Sequence, residues 1–177
     1  MAVIEAIQTT YLEADASYIV WTSIPDTYEH LEIRASIQTN TSSTSTGTSI
    51  LYLNNDGTNG NYYTRHQLKA QNTSATANAS ATHQQTGYLN STLVQQSYAA
   101  LHIVLYDYAN TNKMTTFTMT QGAPEALTPS LTFTSSIWWR DSGGYTNTDA
   151  IDQINIGVPG AQLTRGSSAT LYGWNSS

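Results

Sequence analysis

The chain has 177 residues, a length that suits one domain able to bury roughly 70% of the surface its unfolded form exposes. Only 10% of residues are Asp, Glu, Lys or Arg, against the ~25% usual in soluble domains, and the net charge is -6. Its 6 Lys and Arg are scattered singly along the sequence, so no basic stripe displaces counterions from phosphates and nucleic acid is not an expected partner. No apolar run approaches the ~20 residues of a membrane span, and Met1–Glu5 lacks the basic region of a signal peptide, so neither membrane nor export is expected.

With no cysteine, packing alone must hold the fold. Ser, Thr, Asn, Gln and Tyr fill the polar positions, which disfavours long exposed helices with charged i,i+4 pairs and suits pleated surfaces. Val3–Gln8 and Tyr18–Trp21 read as strands on either side of a polar turn near Asp15. Pro25 then interrupts pairing, because it has no amide hydrogen to donate. Leu31–Ile37 alternates apolar and polar residues with period two, so Leu31, Ile33, Ala35 and Ile37 are predicted to face the core.

Two stretches, near 39–48 and 71–87, are rich in Ser, Thr, Asn and Ala and are predicted to be exposed polar loops. Between them Ile50–Leu53 and Tyr62–Leu68 read as strands joined by a turn over Asn54–Gly60. Leu101–Tyr106 is the most apolar strand, with Lys113–Gln121 pairing back onto it. Leu131–Thr134 leads to Trp138, Trp139 and Arg140, after which Asp141–Gly144 is predicted to turn. Ile151–Val158 and Ala169–Tyr172 complete the set. The expected fold is therefore all-β: a single jelly-roll-like antiparallel β-sandwich of eight to nine strands over residues 1–177.

Chemistry is weakly signalled. The Asn54–Asn61 loop offers oxygens of the kind calcium binds, but Asp56 is its only charge, and Asp56-Gly57 is also a tight-hairpin dipeptide; no metal is expected there. His30, His66, His83 and His102 lack the spacing of a metal site. No G-x-S-x-G elbow occurs, and Asp149 and Asp152 read as polar positions at a strand entry, so no catalytic residue and no cofactor is expected. Trp138, Trp139 and Trp174 are the candidate contacts to a partner or a glycan. Adjacent strand residues point to opposite faces, so only one of Trp138 and Trp139 can serve a given side.

Several segments share one resemblance: Ser23–Arg34 (SIPDTYEHLEIR), Leu51–Gly57 (LYLNNDG), Trp139-Arg140, Ala150–Ile154 (AIDQI) and Ser168–Gly173 (SATLYG). Together they resemble the small β-sandwich domain of virion proteins of tailed bacteriophages, which decorates capsids or serves in tail and fibre parts. The resemblance runs from about residue 3 to residue 174. It implies a non-enzymatic capsid decoration (cement) protein, made in the host cytoplasm, that binds the major capsid protein on the outer surface of the virion as a homotrimer. This chain departs from the family pattern at Trp138 and at Trp174–Ser177, beyond the usual Leu-Tyr-Gly ending. The rival expectation is a tail-fibre or receptor-binding head that recognises a host-surface glycan through a concave aromatic groove.

Overall fold

The computed structural model describes residues 3–40, 47–58, 61–62, 65–71, 74–80, 85–89, 98–125 and 135–176. Its strands are β1 (Ile4–Tyr11), β2 (Tyr18–Trp21), β3 (His30–Ile37), β4 (Gly47–Leu53), β5 (Arg65–Gln71), β6 (Ser74–Ser80), β7 (Gln85–Leu89), β8 (Ala99–Tyr106), β9 (Thr115–Glu125), β10 (Ser135–Tyr145), β11 (Ile154–Gly157) and β12 (Ser168–Trp174). They form an eight-stranded sheet, β1-β12-β3-β8-β9-β10-β5-β6, and a four-stranded sheet, β2-β11-β4-β7. All pairings are antiparallel.

The connectivity is that of a jelly roll. Set β5, β6, β9 and β10 aside, and the remaining strands pair first with last and inward from there: β1 with β12, β2 with β11, β3 with β8, β4 with β7. That is one long antiparallel hairpin wrapped over itself, closed by the pairs β12–β3 and β11–β4. The strands β9 and β10, inserted between β8 and β11, widen the larger sheet, and β5 and β6 continue it beyond β10.

The body of the sandwich is the nine strands β1-β12-β3-β8-β9-β10 and β2-β11-β4, in line with the expected number; β5, β6 and β7 lengthen the sheets at one end. The period-two reading of β3 holds: Leu31, Ile33 and Ile37 are fully buried, and Ala35 packs against the core. Cross-strand rows such as Leu171, Ile33, Ile103 and Met119 carry that core across four adjacent strands. From the facing sheet Ile19, Trp21, Leu51, Leu53, Ile154 and Ile156 complete it. Trp21 also donates its indole N–H to Thr10 Oγ1 at 3.1 Å, tying β2 to β1 across the open edge.

Three local expectations are corrected. In the stretch 71–87, Ser74–Ser80 is strand β6 and Gln85–Gly87 lies in β7, not in an exposed loop. The cause is visible in SATANAS: Ala75, Ala77 and Ala79 alternate with polar residues at the strand period, although the composition is that of a loop. Of 39–48, residues 41–46 lie outside the described set, but Thr39 is fully buried and bridges Leu163, and Gly47 already opens β4. Asp141–Gly144 does not turn. It continues β10 in unbroken register with β9 as far as Tyr145, so pairing to a neighbouring backbone overrides the local turn preference of Gly143-Gly144.

Candidate functional site

The loop after β4 turns two residues earlier than its Asp56-Gly57 dipeptide suggests. Asn54 and Asn55 take positive φ (52° and 56°), and the Asp56 amide donates to the Leu53 carbonyl at 3.0 Å, a tight turn with both central residues left-handed. Asn54 is held there by its side chain, which accepts from the Asp152 amide at 3.0 Å and donates to the Ala150 carbonyl at 2.9 Å. The Asp56 carboxylate accepts from the Thr58 amide (2.8 Å), Asn61 Nδ2 (2.7 Å) and the Tyr145 hydroxyl (3.0 Å). Burial alone would push this carboxyl up, but those bonds outweigh it and hold it below its ordinary range. Three protein donors thus converge on the Asp56 carboxylate and make it a structural corner.

Nearby, Asp149 accepts from Asn147 Nδ2 at 2.8 Å, and the Asp152 carbonyl accepts from the Ile24 amide at 3.0 Å. Both residues staple the loop before β11.

His30, Glu29 and Asp107 form a second cluster at the start of β3. The His30 ring is buried, packed against Trp174 with ring centres 4.3 Å apart and planes inclined by 60°, and edge-on to Tyr106 at 5.5 Å. Its Nδ1 accepts from the Asp107 amide at 3.1 Å, and its Nε2 faces Ser176 Oγ at 3.2 Å and Glu29 Oε1 at 3.5 Å. Glu29 Oε2 accepts from the Ser176 amide at 2.8 Å, and Lys113 holds the other end of Asp107. With Nδ1 accepting from an amide, the ring carries its proton on Nε2 and directs it at Ser176 and Glu29, so the cluster works as a latch for the C-terminal segment. Trp174, one of the three tryptophans predicted to be contacts, is part of this latch.

The two outer faces of the sandwich differ in chemistry. On the smaller sheet, Val20, Asn155 and Tyr52 share one outward row, with Tyr18 and Gly157 in another. The Tyr18 ring lies against Gly157 so closely that a Cβ there would overlap both the ring and the Ser17 carbonyl. Tyr18 and Tyr52 rings meet at 5.9 Å, and Val20 is 42% exposed between the strands' polar ends. Burial, then the neighbouring Tyr18, pushes the Tyr52 phenol up. These rows carry no charged residue.

On the larger sheet the outward rows include charged side chains. Glu32 Oε1 accepts from Arg34 Nε at 2.7 Å and from His102 Nε2 at 2.9 Å, and the Arg34 guanidinium lies over the Tyr172 ring at 4.9 Å. Burial would raise the Glu32 carboxyl, but the Arg34 and His102 bonds bring it below its ordinary range. As expected, His102 faces away from the buried Ile103. In the backbone register Trp138 pairs with Gly122 and Ala70, and Trp139 with Gln121 and Lys69. His83 lies outside the described residues.

Sequence reasoning missed the group formed by Glu32, Arg34 and His102. Parity along β3 and β8 signals that all point outward, but the register that makes them neighbours is not written in either strand. Comparison with family models, with curated proteins and with solved structures finds no match to this chain.

Proposed function

We propose that the chain is a non-enzymatic structural protein of a tailed-phage virion, a decoration protein that seats the outer face of its smaller sheet on the major capsid protein. The observation that carries this reading is the uncharged aromatic surface of Tyr18, Val20 and Tyr52, fixed on a rigid sheet. Interface cores are depleted in charge and enriched in Tyr, and a pre-formed surface loses little entropy on docking.

A homotrimer at the outer capsid surface belongs to the same proposal. The edge strand β1, with Ile4 and Tyr11 exposed at 50% and 57%, is the surface assigned to contacts between copies. Each trimer then touches several capsid subunits, and later contacts become intramolecular, which strengthens attachment without any new chemistry. Bound across subunit boundaries, the protein opposes expansion of the shell by packaged DNA.

Deleting the gene tests this. Particles that assemble but lose DNA at lower temperature or under osmotic shock support a cement. Sturdy particles that fail to adsorb would overturn it in favour of a receptor-binding head.

A further inference from the structure

Strand β1 ends the larger sheet, and among the described residues no backbone pairs with its outer edge. Most of its residues are exposed, including Ile4 and Tyr11. It carries none of the features that keep an open edge solitary: no Pro, no Lys or Arg, and one charge, Glu5, which accepts from the Tyr28 hydroxyl at 2.7 Å. An uncovered strand of this kind is a template for another strand.

A bulge decides which strand fits. The register of β1 on β12 shifts between Ala6 and Gln8, so the alternation of β1 slips by one residue there. Through β12, cross-strand pairing aligns Ile4, Ala6, Thr9 and Tyr11 with His30, Glu32, Arg34 and Ser36 of β3, respectively. All four therefore face outward, since the core positions of β3 are Leu31, Ile33, Ala35 and Ile37. Leu12 turns its amide to Ser167 and its carbonyl to Gly166, so by strand alternation Tyr11 and Thr9 turn theirs to the open edge. Residues on one face of a strand direct their backbone groups to one edge, so Ala6 and Ile4 do the same.

We propose that β1 pairs with β1 of a second copy, antiparallel, about a two-fold axis that passes between Ile7 and Gln8. This axis sets Ile4 opposite Tyr11 of the second copy and Ala6 opposite Thr9, so every outward residue meets an outward residue and the edge-directed backbone groups find partners. Glu5 then lies opposite Thr10, and no charge faces its like. Without the bulge the same axis would pair residues of opposite faces; the one-residue slip is what makes the strand complementary to itself. The two eight-stranded sheets become one continuous sheet. This pairing needs nothing from the capsid reading. On a particle it makes the β1 contacts between copies two-fold, so they join one trimer to the next and leave the three-fold contact to another surface.

The chain has no cysteine, so Ile4→Cys and Tyr11→Cys each carry a single thiol. Mixed and oxidised, the two variants are expected to form a disulfide dimer with one of each, because facing Cα atoms in a hydrogen-bonded antiparallel pair are ~5.5 Å apart, within disulfide reach. Either variant alone should give about a tenth of that yield or less, since its two thiols would lie roughly 24 Å apart along the paired strands. Gln8→Lys, at an exposed position beside the axis, brings two ammonium groups together. It should abolish the mixed cross-link and halve the solution mass of the wild-type assembly by light scattering, while the far-ultraviolet dichroism stays unchanged. No cross-link in the mixture, equal cross-linking by either variant alone, or a wild-type mass that folded Gln8→Lys retains would each overturn the pairing. A trimer that Gln8→Lys leaves whole would do so while leaving the decoration reading in place.

Discussion

The ring of Tyr28 lies flat on Gly173, so close that a Cβ at position 173 would overlap the ring carbons. Gly173 sits in β12 opposite Leu31 of β3, and Tyr28 donates its hydroxyl to Glu5 at 2.7 Å on the far side of β12. One aromatic side chain thereby crosses from the loop before β3 over β12 to β1. It can do so only because the residue beneath it has no side chain.

Gly173→Ala is therefore expected to destabilise the fold by about 1–3 kcal/mol through overpacking, read as a lower urea midpoint with an unchanged slope. Tyr28→Ala removes the clash, so the double variant should be less destabilised than the sum of the singles. Additive effects would show that the ring is not what excludes a side chain at position 173.

That contact also shows how far the sequence could be read. Parity placed Leu31 and Ile33 in the core and Arg34 and His102 outside it, because alternation along one strand is a local property. The Tyr28–Arg34 and Ala169–Gly173 segments read as opposing or neighbouring strands, and the register, with Ile33 opposite Leu171, makes them neighbours. Ser74–Ser80 was hidden because its alternation uses Ala instead of larger apolar residues, and Asp141–Gly144 because Gly-Gly favours turns unless a neighbouring strand claims its backbone. The group of Glu32, Arg34 and His102 depends on the register between β3 and β8, which neither segment encodes by itself.

Alkaline stability should depend on the Asp56 corner. Burial first, then the bond to the Asp56 carboxylate, pushes the Tyr145 phenol up to about 12 from an ordinary 10. The folded protein thus holds this proton more tightly than the unfolded chain, and the stability it contributes is complete below pH 10 and drains as pH rises toward 12. Tyr62, whose ring is tilted against Tyr145 with centres 5.1 Å apart, is pushed up by burial as well. Urea midpoints across this range should fall less steeply in Tyr145→Phe than in wild type. On the acid side Asp56, held below its ordinary range, contributes stability that is lost as pH falls through its folded value; losing the Tyr145 hydroxyl should move that loss to higher pH. Parallel pH profiles for both proteins would contradict this.

The His30 latch predicts a separation of packing from hydrogen bonding. His30→Phe keeps a ring against Trp174 but leaves the Asp107 amide without its acceptor, at a cost of about 1–3 kcal/mol. Hydrogen exchange should then speed up at Asp107, and also at Ser176, whose hydroxyl loses the His30 Nε2 contact. Unchanged exchange at both amides would mean that the ring contributes by stacking alone.

Docking through the smaller sheet predicts a surface variant that folds yet does not attach. Val20→Glu places a charge on an exposed position of the edge strand β2, in the row of Asn155 and Tyr52, where an unpaired carboxylate must be desolvated on contact. Its melting temperature should stay close to that of the wild type, and its binding to particles lacking the protein should fall by about tenfold or more in a sedimentation assay. Wild-type attachment by Val20→Glu would move the docking surface elsewhere.

The most direct measurement is a cryo-EM reconstruction of virions that carry this chain. Decoration of the capsid predicts density for the sandwich on the outer shell, with Tyr18, Val20 and Tyr52 against the major capsid protein and the Arg34–His102 face toward solvent. Density at a fibre tip or in the tail, or a sandwich lying on the capsid by its larger sheet, would contradict it.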